Sequence, residues 1–417
     1  MTSLLAIGRK FDFRLITLAV ALVLTQVLLA TLAGRGDSWF ARYRSLCTWD
    51  GGWYGQIVET GYAVQGPPDT GGQTNLAFFP GYPIAARLVS YLFPVSTGVA
   101  LLITSQIAAC VFWSVLLHSL RRWQVTSSIT LLGIALIFCH PAAFFLVAAY
   151  SESLFFAALM IFLSCGPRAR TFLPALLAAV VAGYVASATR IVGAPLAAIP
   201  LLWAWRDLRS KAMPFTLRNF LFVIWPYAII SAATAAGTLS YFAFCAYNFG
   251  HWDMYLQAKA AWGVSNFAVM DLLRPELYSP HVPRFVEDHL LAQDISHLYV
   301  PLILLALVAL PVLDWFLCRR EGVEEFSTRL PFYVAAWIFF LALAGGSGLA
   351  RASTFLRYGL YCHILFVLAF AHAYSRSPYR DKELSFSTQL VFFLFCAAGL
   401  ALQFTFCSRF SHATLVG

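Results

Sequence analysis

The sequence predicts an all-α protein built from transmembrane helices, and three observations carry that reading. Only 11% of the 417 residues are Asp, Glu, Lys or Arg, whereas 60% are hydrophobic. A soluble domain carries roughly a quarter charged residues. Mean hydropathy is +0.74, and the apolar runs reach about 20 residues, the length a helix needs to cross the hydrocarbon core. Nothing shows the ten-residue alternation of an outer-membrane barrel strand. Aromatic residues at 16% exclude a disordered chain. The net charge of +9 would suggest nucleic acid in a soluble protein. Here it follows from the excess of Lys and Arg on the inner side of a membrane, and no nucleic-acid partner is expected.

The first apolar run, Leu15 to Leu32, follows Arg9, Lys10 and Arg14. It is longer than a signal-peptide core and reads as an uncleaved first span. Spans then fall near 13–33, 97–119, 127–148, 150–165, 171–189, 192–205, 219–246, 298–318, 331–349, 355–375 and 387–408, about eleven in all. Those at 150–165 and 192–205 are short for full crossings. With the N-terminus inside, the inner loops collect most of the 28 Lys and Arg. Arg121 with Arg122, Arg168 with Arg170, the 206–218 loop, Arg319 with Arg320, and Arg376 all fall there, as the positive-inside rule requires.

The chain reads as one domain, 1–417, with two long outer loops, 34–96 and 247–297, forming the site. Long loops in a compact protein tend to be functional. The first reads as short amphipathic helices, with Trp53, Ile57 and Val58 on one face. The stretch 76–83 is too broken by Pro and Gly for a regular span. The nine cysteines show no metal-ligand spacing and read as small hydrophobes.

The unusual polar clusters all fall on the outer side. They are Trp49-Asp50, Asn75 with the Ala-Phe-Phe-Pro run, 149–155, Ala188-Thr189-Arg190, 251–263, and Arg351 with Arg357-Tyr358. Asp50, in partly apolar surroundings, is suited to take a proton from a hydroxyl. Arg190, Lys259, Arg351 and Arg357 are cations suited to a phosphate-bearing ligand. Trp53, Tyr54, Phe78, Phe79, Trp252 and Trp262 offer flat faces for sugar rings or prenyl chains. Carboxylate, cations and aromatics together suggest transfer from a lipid-phosphate donor to a hydroxyl acceptor.

Each residue also has a plainer reading. Asp50 can cap the helix that follows it, and Glu152 suits the start of a helix through the helix dipole. Arg190 interrupts an apolar run and calls for a partner such as Glu152, Asp50 or a phosphate. Arg351 and Arg357 can snorkel to headgroups, and Trp252 and Trp262 can sit in an interfacial belt. His140, His251, His363 and His372 have no partners at metal-ligand spacing, and no Asp-x-Asp pair stands in the outer loops. No cofactor is expected, and a divalent metal is not indicated.

The series Trp49-Asp50, Gly61-Tyr62, Asn75 to Pro83, and Ala149 to Phe155 resembles the second mannosyltransferase of glycosylphosphatidylinositol-anchor synthesis, the PIG-V family, and its bacterial relatives. Ala188-Thr189-Arg190, the Gln257-to-Gly263 stretch and Arg357-Tyr358 follow in order. The resemblance implies a GT-C-type membrane glycosyltransferase that takes mannose from a polyprenyl-phosphate donor on the outer or luminal face and inverts the anomeric centre. It implies Asp50 as general base, and matches the Tyr150-Ser151-Glu152 motif and Arg190 to further patterned positions. Trp49, Trp53, Tyr54, Asn75, Phe78, Phe79, Tyr150, Glu152, Gln257, Trp262 and Tyr358 are expected to line the substrates. One departure is Gln73-Thr74, where eukaryotic members carry an acid and a histidine. That departure leaves the acceptor (lipid, glycan or protein) open. A short chain without an ER-retrieval tail favours a bacterial plasma-membrane enzyme over an ER one. The competing class is a transporter or flippase of lipid-linked sugars, which would show paired half-sequences and midplane charges.

Overall fold

The computed structural model describes residues 12–66, 72–209, 216–262, 291–321, 326–347, 355–377 and 385–412, and all regular structure in them is helical. The helices are α1 (Phe13–Ala33), α2 (Trp39–Arg44), α3 (Asp50–Thr60), α4 (Gly81–Leu92), α5 (Thr97–Arg122), α6 (Ser127–Phe138), α7 (Glu152–Cys165) and α8 (Leu173–Thr189). They continue as α9 (Ile199–Arg209), α10 (Leu217–Phe249), α11 (Met254–Ala261), α12 (Leu291–Glu321), α13 (Phe326–Ser347), α14 (Phe355–Arg376) and α15 (Phe386–Ser411).

Among the described residues, seven helices are long and apolar enough to cross a membrane, and the chain is a multi-pass membrane protein. The expected count of about eleven also takes in apolar helices that are shorter than a full crossing. α6 and α8 are shorter apolar helices, and α7 has 14 residues, most of them buried at the centre of the bundle. At about 1.5 Å per residue, α6 extends only about 18 Å. It stops at Phe138 because Pro141 lacks an N–H and restrains the residue before it. The carbonyls freed at this break must be satisfied inside the protein. Gln403 of α15 supplies the donor, its Nε2 reaching the carbonyl of Phe138 at 3.0 Å and that of His140 at 2.8 Å. α15 approaches so closely that a Cβ on Gly399 would run into the Cys139 carbonyl. The 3-10 turn Ala143–Leu146 then leads to Ala149 and Tyr150.

The tightest helix pair is α8 against α10, and small residues explain it. Ser187 donates to the Thr234 carbonyl, and Thr238 donates to the Ser187 carbonyl at 3.1 Å. A Cβ on Gly237 would meet Ser187 Oγ and the Tyr184 carbonyl. Close backbone approach of this kind holds helices together where lipid offers no hydrophobic drive. Gly237→Val is therefore expected to push α8 from α10, costing about 1–3 kcal/mol by overpacking. A lowered melting temperature in detergent would record it; an unchanged one would show that the pair repacks freely.

The two ends of the bundle differ in kind. One end holds structural ion pairs: Arg121 with Asp12, Arg170 with Asp207 at 3.1 Å, and Arg329 with Asp314 at 2.7 Å. The other end carries α2, α3, α4, α11 and the turns at 148–151 and 190. The 34–96 segment is helical as expected, but the buried face of α3 carries Tyr54, Ile57 and Val58, with Trp53 only half-buried beside them.

Candidate active site

The site lies where five chain segments far apart in sequence meet at that second end. Asp50 opens α3, and the residue before it is strained. Trp49 has φ +55°, a left-handed conformation that a bulky side chain rarely adopts. Such a residue costs on the order of 1–3 kcal/mol and persists only where its surroundings impose it. The capping reading for Asp50 is corrected here: Asp50 is the first helical residue, Trp49 holds the cap position, and no side chain caps this helix. The Asp50 carboxylate instead accepts from Arg357 Nη1 at 3.1 Å, and its backbone N–H donates to the Tyr150 hydroxyl at 3.4 Å. Gly51 lets α3 seat, because a Cβ there would crowd Cys47 Sγ at 3.2 Å and Ala149 at 3.3 Å.

Glu152 opens α7, as the helix-dipole reading expected, and it also joins two cations. Its Oε1 accepts from Arg190 Nη1 at 2.7 Å and lies 3.3 Å from Arg357 Nε. Arg190 also donates to Ser151 Oγ at 3.0 Å, which in turn accepts from the Tyr54 hydroxyl at 3.0 Å. Burial pushes the Tyr54 phenol up, so it serves as a neutral donor. The Arg190 guanidinium lies 5.6 Å from the Tyr361 ring centroid, and that of Arg357 4.9 Å from Tyr358 and 5.2 Å from Tyr150. The order is thus Asp50, Arg357, Glu152, Arg190. The Glu152 side chain is 0% exposed, whereas that of Asp50 is 22% exposed. Of the two carboxylates, only Asp50 is open to the surroundings.

Lys259 of α11 faces the same site but makes no carboxylate ion pair among the described residues. Its ammonium lies 5.8 Å from the Phe78 ring and 5.9 Å from that of Tyr255. Burial pushes its pKa below the ordinary lysine range, with Tyr358 and Asp50 pulling the other way and Arg190 and Arg357 adding repulsion. Trp53, Phe78 and Trp262 form an aromatic group beside it, with ring centroids 5.4–6.2 Å apart.

Other expected lining residues hold the wall rather than face the opening. Asn75 is buried and ties the loop, donating to the Gly61 carbonyl at 3.0 Å and accepting from Ala63 N–H at 2.9 Å. Phe79 packs between Tyr241 and Tyr255. Gln257 is not brought to the cluster: it is exposed and donates to Asp253 one turn back at 3.1 Å. Trp49 and Trp252 are exposed, Trp252 with its ring edge-on to Phe242. Arg351 lies outside the described residues. Ser151 belongs to the Tyr150-Ser151-Glu152 motif, whereas Phe145 and Tyr361 were not foreseen. Tyr361 had a signal, since it stands four residues after Arg357 and therefore on the same helix face.

No protein-family model and no curated protein matches the sequence. Among solved structures, the chain is similar to the Archaeoglobus fulgidus oligosaccharyltransferase tethered by a disulfide to an acceptor peptide containing the NVT sequon. The TM-score is 0.45 and the identity 13%. The likeness covers 96% of this chain and 55% of that one, so the chain spans about half that enzyme's length.

Proposed function

We propose that this protein is a GT-C-type membrane glycosyltransferase that moves a sugar, mannose by the family resemblance, from a polyprenyl-phosphate carrier to a hydroxyl acceptor. The observation that carries the reading is one accessible carboxylate, Asp50, in the same site as Lys259, a cation with no carboxylate paired to it among the described residues. Asp50 takes the proton of the acceptor hydroxyl as its oxygen forms a bond to the anomeric carbon. On the opposite face the bond from that carbon to the phosphate oxygen breaks, and the phosphate leaves with the electron pair. In-line attack of this kind inverts the anomeric centre. Lys259 is the point charge for the departing phosphate, and the Trp53, Phe78 and Trp262 faces suit the sugar ring.

With the N-terminus inside, the site faces the outer surface of a bacterial plasma membrane, where prenyl-phosphate sugars are used without nucleotides. The transporter reading gains less support, because the described charges gather at the two ends of the bundle rather than at its middle. The direct test incubates the purified protein in vesicles with radiolabelled polyprenyl-phosphate mannose and a membrane extract. Label appearing in a new product supports the transferase; flux of intact donor across the vesicle without transfer supports the transporter.

Lys259 gives this reading a pH dependence. Because burial lowers its pKa, the ammonium is lost as pH rises through a value below the ordinary lysine range. Donor KM should therefore climb on the alkaline side, and Lys259→Arg, which stays charged, should move that climb to higher pH. An alkaline limb of donor KM that stays in place in Lys259→Arg would remove Lys259 from the phosphate.

A further inference from the structure

The site end of the bundle carries a second feature that sugar transfer does not use. Between α1 and α15 lies an apolar cavity of about 270 Å³, lined by Leu29, Ala30, Phe144, Gln403, Phe404 and Cys407 among others. Its lining is apolar apart from Gln403, so it suits a length of hydrocarbon chain rather than a sugar, whose hydroxyls would find few partners there. It sits in the half of the bundle nearest the site. Cys407 Sγ donates to the Ala30 carbonyl at 3.5 Å, and one turn further along α15 the Phe410 carbonyl accepts from Thr48 Oγ1 at 3.4 Å.

An aromatic partition separates the cavity from Asp50. Phe144 stacks on Phe145 with centroids 4.2 Å apart, and Phe410 contacts Phe144, Phe145 and Tyr150 at 5.5–5.6 Å. The guanidinium of Arg357 lies on the far side, 5.4 Å from the Phe145 ring. A chain in the cavity is thus held beside the reacting groups but walled off from them.

Above the cavity the charge pattern runs against the rest of the protein. Most basic residues stand at the opposite end of the bundle. Yet Arg35, Arg42 and Arg44 crowd the segment over the end of α1, where Asp37 is the single acid, and Arg409 lies in the last turn of α15. Arg35 and Arg44 are exposed. α2 is pinned over α1 by Ser45, whose Oγ accepts from Arg35 N–H at 3.1 Å, and by Arg42 Nε donating to the Gly36 carbonyl at 3.0 Å. Clustered cations at a membrane surface attract anionic headgroups.

We infer that the α1–α15 groove and its arginine rim bind a resident anionic phospholipid, with one acyl chain in the cavity and the headgroup phosphate on the rim. The lipid is not a substrate, because the Phe144, Phe145 and Phe410 partition keeps it from Asp50. By filling the groove it supports α15, whose Gln403 and Gly399 hold the broken α6 crossing that leads into Tyr150.

The test reconstitutes the full-length protein in vesicles of equal phosphatidylglycerol and phosphatidylethanolamine, re-extracts it in mild detergent, and weighs retained lipid by native mass spectrometry. Wild type should retain phosphatidylglycerol at least several-fold over phosphatidylethanolamine. Ala401→Trp, an exposed position at the cavity lining, should lower retention of both about tenfold without loss of fold. The double variant Arg35→Gln, Arg44→Gln should keep retention but lose the preference for phosphatidylglycerol. Asp50→Asn should change neither, which separates this lipid from the sugar-transfer reading. Equal retention of the two lipids by wild type, or retention unaffected by Ala401→Trp, would overturn the inference. So would displacement of the retained lipid by added polyprenyl phosphate.

Discussion

Asp50→Asn is expected to lower sugar transfer by about 10²–10⁴-fold, the usual worth of a positioned general base, with little change in melting temperature. The amide is nearly isosteric with the carboxylate and its oxygen can still accept from Arg357 Nη1, 3.1 Å from Asp50 in the native protein. What it cannot do is take a proton from the acceptor hydroxyl. Arg357 also keeps its contact with Glu152, so the loss of one negative charge does not strand it. The measurement is initial rate with a prenyl-phosphate sugar at saturating donor, beside a thermal unfolding trace of the same preparation. Near-wild-type transfer in a folded Asp50→Asn protein would remove Asp50 from the chemistry. A collapse in stability would reassign it to a structural role.

Glu152→Ala should behave in the opposite way, with the loss falling first on stability. Its carboxylate is fully buried and bridges Arg190 and Arg357, at 2.7 and 3.3 Å. Removing one partner of a buried ion pair leaves uncompensated charge and costs about 3–5 kcal/mol. Here two guanidiniums lose their shared counter-ion, although Arg357 retains Asp50 and both keep aromatic faces nearby. Poor expression or a large fall in melting temperature is the expected reading. Pairing the change with Arg190→Met should recover part of that stability, since it removes one of the stranded cations. A Glu152→Ala protein that melts like the wild type yet transfers no sugar would place Glu152 in the reaction instead.

Much of this site was legible residue by residue. Arg190 interrupts an apolar run, and the cost of an unpaired charge at that depth called for a partner, with Glu152 among those expected. That the polar segments would gather at one end of the bundle was expected from counting crossings against basic loops, and five segments meet there. The break after α6 was harder to see, because residues 127–148 are apolar throughout and length alone suggested one helix. The His140-Pro141 pair was the local sign, and its satisfaction by Gln403 depends on a helix more than 250 residues away. Gln257 was misplaced for a related reason. It shares the short helix α11 with Lys259, and positions two apart on a helix face different directions.

By itself, the sequence determined that this is a helical membrane protein and which polar residues stand out chemically against its apolar spans. Composition and apolar run length set the first, and side-chain chemistry at one end of the spans set the second. Only the tertiary structure decided how the charges divide: Glu152 sealed between two arginines, Asp50 left open, Lys259 left without a carboxylate among the described residues. Ion pairing depends on distances of a few ångström between side chains from α3, α7, α8, α11 and α14. Packing of the whole bundle sets those distances, and no local window of sequence contains them.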